Sequence, residues 1–158
     1  MRKSVPGVRL EAVTGELPAG FKDLRAEARV EGHRFVDRLA EGWAERTMRF
    51  DGRGERLLAG FVGCELAGIG GLTIEPAVPN ALRMRRFYIR PSHRRTGVGR
   101  QLALALLDRC TGVADVVTVN AQEASFPFWE SLGFVREARD GFTHTLDLSR
   151  ERLDLAGS

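Results

Sequence analysis

The residues of this chain best equipped for chemistry lie in one run, Arg94-Arg95-Thr96-Gly97-Val98-Gly99-Arg100. A bulky apolar segment stopped by Pro91 precedes the run, and a stretch of helical periodicity follows it, so it reads as a strand-to-helix turn. The first N–H groups of a helix have no internal acceptor, and the helix dipole makes that end positive. Glycines let a ligand approach those N–H groups, and arginines at the rim add forked donors, so the turn is a cradle for phosphate. Two phosphate-binding loops are excluded by name. A Walker A loop needs Lys-Ser/Thr where Arg100-Gln101 stand, and a dinucleotide fingerprint needs a third glycine where Leu102 stands. Residues 83–100 hold seven arginines and no acid within a chain of net charge +3, so the remainder is net acidic. That concentration is a footprint for an anion: a nucleic-acid backbone, a phosphorylated cofactor or an acidic substrate. Nucleic acid leaves the glycine spacing unexplained and is not expected as a partner.

The elements that must position this turn follow from periodicity and breakers. Val8–Val13 reads as a strand ended by Gly15 and Pro18. From Phe21 to Met48 the pattern is helical, with Leu24 and Ala28 on one stripe and Phe35, Leu39 and Trp43 on another. Gly32 divides it into two helices. Leu57–Val62 and Leu66–Ile74 form a hairpin around Gly63-Cys64-Glu65, and Glu75–Asn80, with two prolines, is a loop. Leu82–Arg90 is a strand, Gly97–Cys110 a helix, Val113–Val119 a buried strand, and Glu123–Leu132 a helix closed by Gly133. Phe134–Arg139 and Phe142–Leu148 pair around Asp140-Gly141. Helices set between strands of one sheet make a layered α/β domain.

The 158 residues imply one domain spanning 1–158, with 149–158 a fraying tail. An apolar fraction of 43% supplies a core, and the longest apolar run, Leu102–Leu107, is too short to span a bilayer, so no membrane role is expected. The basic start Met1-Arg2-Lys3 is not followed by the apolar stretch of a secretory signal. Cys64 and Cys110 form no C-x-x-C motif or Cys/His cluster, so neither a disulfide scaffold nor a metal site is expected. A cytoplasmic setting is.

The segment Phe87-Tyr88-Ile89-Arg90-Pro91-Ser92-His93-Arg94-Arg95-Thr96-Gly97-Val98-Gly99 resembles the GNAT acetyltransferase superfamily, whose signature is a strand, a Q/R-x-x-G-x-G/A turn and a helix. Phe128-Trp129-Glu130-Ser131-Leu132-Gly133-Phe134 is similar to the family's aromatic-aromatic-acid-x-Leu-Gly-Phe helix, and Asn120 matches an asparagine that contacts the cofactor. The likeness is close over residues 57–148. It implies a mixed α/β fold with a mostly antiparallel sheet of about seven strands, splayed between strands 4 and 5 and flanked by about four helices. It further implies that acetyl-CoA is the donor. Backbone groups of Phe87, Tyr88 and Ile89 would hold the pantetheine arm as an added strand would. The turn from Arg94 through Arg95, Thr96, Gly97, Val98 and Gly99 to Arg100 would hold the pyrophosphate, and Asn120 and Phe128 would flank the thioester.

Acyl transfer to an amine needs a base, because an alkyl ammonium has a pKa near ~10.4. Members of the family that carry a glutamate on the central strand have it where this chain has Arg83. Others place an acid five residues before the asparagine, where Asp115 stands. Glu75, at the mouth of the third strand, is a second candidate. The family's tyrosine acid is replaced by Trp129, whose indole donates a hydrogen bond but no proton near neutral pH. The chain's sole tyrosine, Tyr88, is expected to pack, which leaves the general acid unknown. Neither cysteine lies in a motif, so a covalent acetyl-cysteine is not expected.

The resemblance implies an N-acetyltransferase in which a primary amine, of a small molecule or a peptide, attacks acetyl-CoA directly in a ternary complex. A non-catalytic acyl-CoA-binding sensor is the alternative, and homodimer formation stays open. Arg83, Arg85 and Arg86 favour an acceptor bearing carboxylate or phosphate. Strand alternation puts Arg83 and Arg85 on one face and Arg86 on the other.

Overall fold

The computed structural model of the protein describes residues 7–139 and 141–149. In chain order the elements are β1 (Val8–Ala12), α1 (Phe21–Val30), α2 (Phe35–Ala44), β2 (Arg56–Val62), β3 (Glu65–Ile74), β4 (Ala81–Ile89), α3 (Val98–Cys110), β5 (Val116–Val119), α4 (Phe126–Ser131), β6 (Val135–Arg139) and β7 (Phe142–Asp147). Seven strands make one sheet in the order β1-β2-β3-β4-β5-β7-β6. β4 and β5 run parallel, and every other neighbouring pair is antiparallel. This is the mixed α/β architecture expected. No described helix is long and apolar enough to cross a membrane.

Alternating side chains divide the interior into two cores, one on each face of the sheet. Leu58, Leu72, Leu82, Met84, Val117 and Val119 meet Leu102, Leu106 and Cys110 of α3 and Trp129 of α4. On the opposite face Leu57, Ala59, Phe61, Ile69 and Tyr88 meet Leu24 and Ala28 of α1 and Val36, Leu39 and Trp43 of α2. Each helix therefore contributes one apolar stripe, as its periodicity predicts.

The splay follows from unequal strand lengths. β5 pairs only with Ala81–Met84, so Arg85–Ile89 of β4 have no β5 partner. Where the pairing ends, β4 also bulges. The β3–β4 register shifts between Ile69 and Gly71, and Arg86 takes a left-handed φ of 55°. A bulge adds one residue to the alternation. Phe87 and Ile89 thereby pack on the α3 side and Tyr88 on the α1–α2 side.

Gly70 in β3 makes room for this arrangement, because a Cβ there would lie 2.5 Å from Phe87 Cδ2, on a ring already packed against Phe128 and Trp129. Overpacking of this kind costs about 1–3 kcal/mol. Gly70→Ala is expected to lower the calorimetric Tm by roughly 2–12 °C, at ~2–4 °C per kcal/mol for a domain of this size.

Two element boundaries differ from expectation. β5 begins at Val116 rather than Val113, because the N–H groups of Val113 and Ala114 both turn back to the Cys110 carbonyl, at 2.9 and 3.0 Å. The helix expected over Glu123–Leu132 is a 3-10 turn, Glu123–Ser125, followed by α4. Pro127 has no N–H to return to residue 123, so a continuous α-helix cannot run through it. Asp140 of the last hairpin turn, and the expected tail from 150 to 158, lie outside the described residues.

Candidate active site

α3 starts at the mouth of the splay. Gly97 is its N-cap with φ 93°, a conformation that favours glycine, and no side chain caps the helix. The first intrahelical bond runs from Gln101 N–H to Gly97 O at 3.0 Å, so the N–H groups of Val98, Gly99 and Arg100 precede the ladder. No acid occupies the first turn. Gly99 allows close approach of helix and strand, since a Cβ there would lie 3.2 Å from Ile89 Cγ1 and 3.4 Å from Phe128 Cε1. Upstream, Thr96 Oγ1 donates to His93 O at 2.6 Å, and Arg95 adopts φ 62°, so the loop turns sharply before the helix.

α1 and its C-cap bring two glutamates, Glu27 and Glu31, to this turn, which sequence patterning did not single out. Glu27 receives Arg90 Nε and Nη2 at 2.7 and 3.2 Å, and Glu31 receives Arg94 Nη1 and Nη2 at 2.9 and 2.6 Å. Hydrogen bonds from these guanidinium groups hold both carboxyls below the usual carboxylate range. Arg94 Nε also donates to Ile89 O at 3.0 Å. The Arg94 guanidinium expected at the diphosphate is thus committed to α1 and β4. Those of Arg95 and Arg100 are exposed, with no carboxylate partner among the described residues. His93 pairs with Glu65.

Tyr88 belongs to the same clamp. Its ring is buried near His33 and Phe35, at centroid distances of 5.8 and 6.1 Å, and its hydroxyl donates to Glu31. Burial, and then that carboxylate, push the phenol upward from its ordinary pKa. The expected packing role of Tyr88 fits this placement.

An aromatic wall closes the α4 side of the splay: Phe87 lies 5.7 Å from Phe128 and 5.0 Å from Trp129, and Trp129 lies 5.4 Å from Phe134. Asn120 is exposed just beyond the end of β5. Next to it, Ala121 N–H donates to Thr143 Oγ1 at 3.1 Å, and that oxygen lies 2.8 Å from His144 Nδ1. His144, fully buried, places Nε2 2.8 Å from Glu130 Oε2. Gln122 Nε2 lies 3.4 Å from His33 Nδ1, so the β5–α4 and α1–α2 connections meet.

The two candidate bases part company. Asp115 stands at the start of β5, bonded to Asn80 Nδ2 at 2.8 Å, about 16 Å of strand away from Asn120. It is not brought to the splay. Glu75 leaves β3 at the same level, but its buried carboxylate reaches back along the sheet. Oε1 accepts Thr118 Oγ1–H at 2.6 Å and Oε2 accepts Ala77 N–H at 2.9 Å. Thr118 is the register partner of Arg83, so the carboxylate sits at the level of Arg83.

Arg83 and Arg85 share a face, as alternation predicts, but Arg86 is a correction. The bulge folds it back toward them, and burial together with the charges of Arg85, Arg38 and Arg83 pushes it down to about 10. Cys64 lies in the β2–β3 turn, and Cys110, pushed up to about 12 by burial, ends α3. Neither lies at the splay. A surface depression of about 350 Å³ lined by Val13, Thr14, Arg46, Arg49, Phe50 and Asp51 contains none of the expected site residues.

A sequence model of the acetyltransferase (GNAT) domain matches residues 22–148. No curated protein is significantly similar in sequence. Among solved structures, a candidate acetyltransferase of Exiguobacterium sp. 255-15 is 24% identical, covering 93% of this chain and 97% of its own at a TM-score of 0.85. An acetyltransferase of Streptococcus agalactiae 2603 is 13% identical over 88% of this chain and 90% of its own, with a TM-score of 0.67. A mutant AtaT toxin, bound to the C-terminus of the antitoxin AtaR and acetyl-CoA, is 14% identical over 94% and 98%, with a TM-score of 0.66. These identities speak for the fold. The family match, which covers most of the chain and includes the glycine turn, the splay and the aromatic helix, places the protein in the GNAT acetyltransferase family.

Proposed function

We propose that the chain moves the acetyl group of acetyl-CoA to a primary amine, both substrates being bound together. The observation that carries this reading is the uncapped N-terminus of α3 beside the unpaired half of β4. The residues present suit a diphosphate: three leading N–H groups, two glycines and the open guanidinium groups of Arg95 and Arg100. Backbone of Phe87 and Tyr88 offers an edge to an amide-bearing arm, while the Ile89 carbonyl is already engaged by Arg94. When bound, acetyl-CoA supplies a thioester carbonyl; the amine nitrogen bonds to that carbon as the C–S bond breaks.

Glu75 is the base of this reading, taking the ammonium proton through water. Its carboxylate is bonded to Thr118, two residues or about 7 Å of strand from Asn120. The leaving thiolate needs little assistance, given a thiol pKa near ~8.5. Tyr88→Phe is expected to keep kcat within about threefold, since its hydroxyl serves Glu31 and acid catalysis is worth ~10²–10⁴ where it operates. A steady-state assay of thiol release measures this, and a hundredfold loss in a folded variant would make Tyr88 the acid.

The sensor reading is favoured by one observation, that Trp129 and the engaged Tyr88 leave no free phenol at the splay. Thermal shift with acetyl-CoA, followed by a thiol-release screen over amines, tests both. Release with an amine supports transfer, a shift without release at any amine supports sensing, and no shift rejects both.

A further inference from the structure

The face of the sheet turned away from α3 carries a polar row of which the acetyl-transfer reading uses only Thr118, the partner of Glu75. Register partners share a face, and Thr73, Arg83, Thr118 and Thr145 are successive partners across β3, β4, β5 and β7. Arg85 lies one step further along the same face, opposite Gly71, and the bulge adds Arg86. Arg38 of α2 acts on this group from the opposite wall.

These arginines share one face and, among the described residues, lack counter-ions. Arg25 and Arg29 share Asp37, Arg90 holds Glu27 and Arg94 holds Glu31. Arg83, Arg85 and Arg86 have no ion pair among the described residues, although all three are partly buried. Arg86 Nε is enclosed without a hydrogen-bond partner, and so is the hydroxyl of Thr73, a residue 8% exposed and the direct partner of Arg83. Glu75 is the one acid whose charge reaches Arg85, and both of its oxygens are already engaged. Partly desolvated cations without a counter-ion are costly to fold, so such a group is expected where a ligand supplies the missing charge. Arg85 and Arg86 are also the first residues of β4 beyond its pairing with β5.

The geometry points to an acceptor that carries two negative charges, as a phosphate ester or as a pair of carboxylates, seated on Arg83, Arg85 and Arg86, with its amine directed into the splay. This rests on the reading of the splay as the site of acetyl transfer. Three guanidinium groups, with Arg38 beyond them and one neighbouring carboxylate, exceed what a single negative charge neutralises.

The test uses matched probes, O-phosphoethanolamine against ethanolamine and aspartate against asparagine, with the full chain. Each probe is expected to exceed the partner that lacks its phosphate or side-chain carboxylate at least about tenfold in kcat/KM. Which anionic probe leads distinguishes phosphate from carboxylate. Arg85→Gln and Arg86→Gln are expected to raise KM for the anionic probe about tenfold while leaving the acetyl-CoA thermal shift in place. Arg86→Gln is also expected to raise the Tm of the free protein, because it removes an uncompensated cation; a purely structural arginine would lower it. Equal reactivity within both pairs, or a preference that survives in both variants, overturns the proposal. If acetyl-CoA produces no shift, the transfer reading fails by itself. Calorimetric binding of O-phosphoethanolamine over ethanolamine then still decides the anion site.

Discussion

Acetyl-CoA is expected to stabilise the wild-type chain, and Gly99→Glu to erase that stabilisation. At 100-fold excess over its Kd a ligand adds ~2.7 kcal/mol, and at ~2–4 °C per kcal/mol the wild-type midpoint rises by about 5–11 °C. A side chain at residue 99 cannot turn inward, where Ile89 Cγ1 and Phe128 Cε1 stand 3.2 and 3.4 Å from the new Cβ. It must turn outward, across the N–H groups that open α3, and it brings a carboxylate to the place proposed for the diphosphate. One such repulsion at 4 Å is worth about 4 kcal/mol at an effective dielectric of 20, close to a thousandfold in Kd. At the same ligand concentration the shift would then fall below about 1 °C. The free protein should change little, because an acid near a helix N-terminus contributes ~0.3–1 kcal/mol against the crowding at Cβ. Differential scanning fluorimetry with and without ligand reads both quantities. A full shift in the variant would mean that the diphosphate lies elsewhere.

Most of the fold was legible because β-strand and helix periods differ and the breakers are well placed. Gly32 divides α1 from α2, Pro91 ends the segment after β4, and the Gly97 turn opens α3, each where a residue-level rule puts it. The uncapped start of α3 at the glycine turn was legible for the same local reason. What failed required knowledge of partners distant in sequence. Alternation put Arg86 opposite Arg83 and Arg85, but the bulge against Gly70 resets the count, and neither strand carries a residue that announces it. Arg94 was read as a ligand donor from its place in the turn. Its carboxylate, Glu31, comes from a helix 63 positions earlier, and nothing in α1's pattern links the two. Spacing likewise made Asp115 and Glu75 equal candidates, and only the packing of the β3–β4 loop separates them.

That separation has a sharp kinetic consequence. If Glu75 takes the ammonium proton, Glu75→Gln should lower kcat by ~10²–10⁴, a barrier increase of about 2.7–5.4 kcal/mol. The amide is close in shape but cannot take up the ammonium proton. Folding will suffer somewhat. Oε1 and Oε2 both accept hydrogen bonds, from Thr118 and Ala77, and an amide can satisfy only one of those donors. One mismatched buried group costs ~1–3 kcal/mol, or roughly 2–12 °C in Tm. The acetyl-CoA-induced shift, measured on the same preparation, separates this loss from damage to the proposed donor site beyond the other end of β4. Asp115→Asn provides the contrast. Its carboxylate accepts from Asn80 far down the strand, and its replacement is expected to change kcat by less than about threefold. A Glu75→Gln variant that turns over within a few-fold of wild type would remove the carboxylate from the mechanism. The amine would then have to enter the splay already neutral, and the rate would track the free-base fraction of the acceptor in solution.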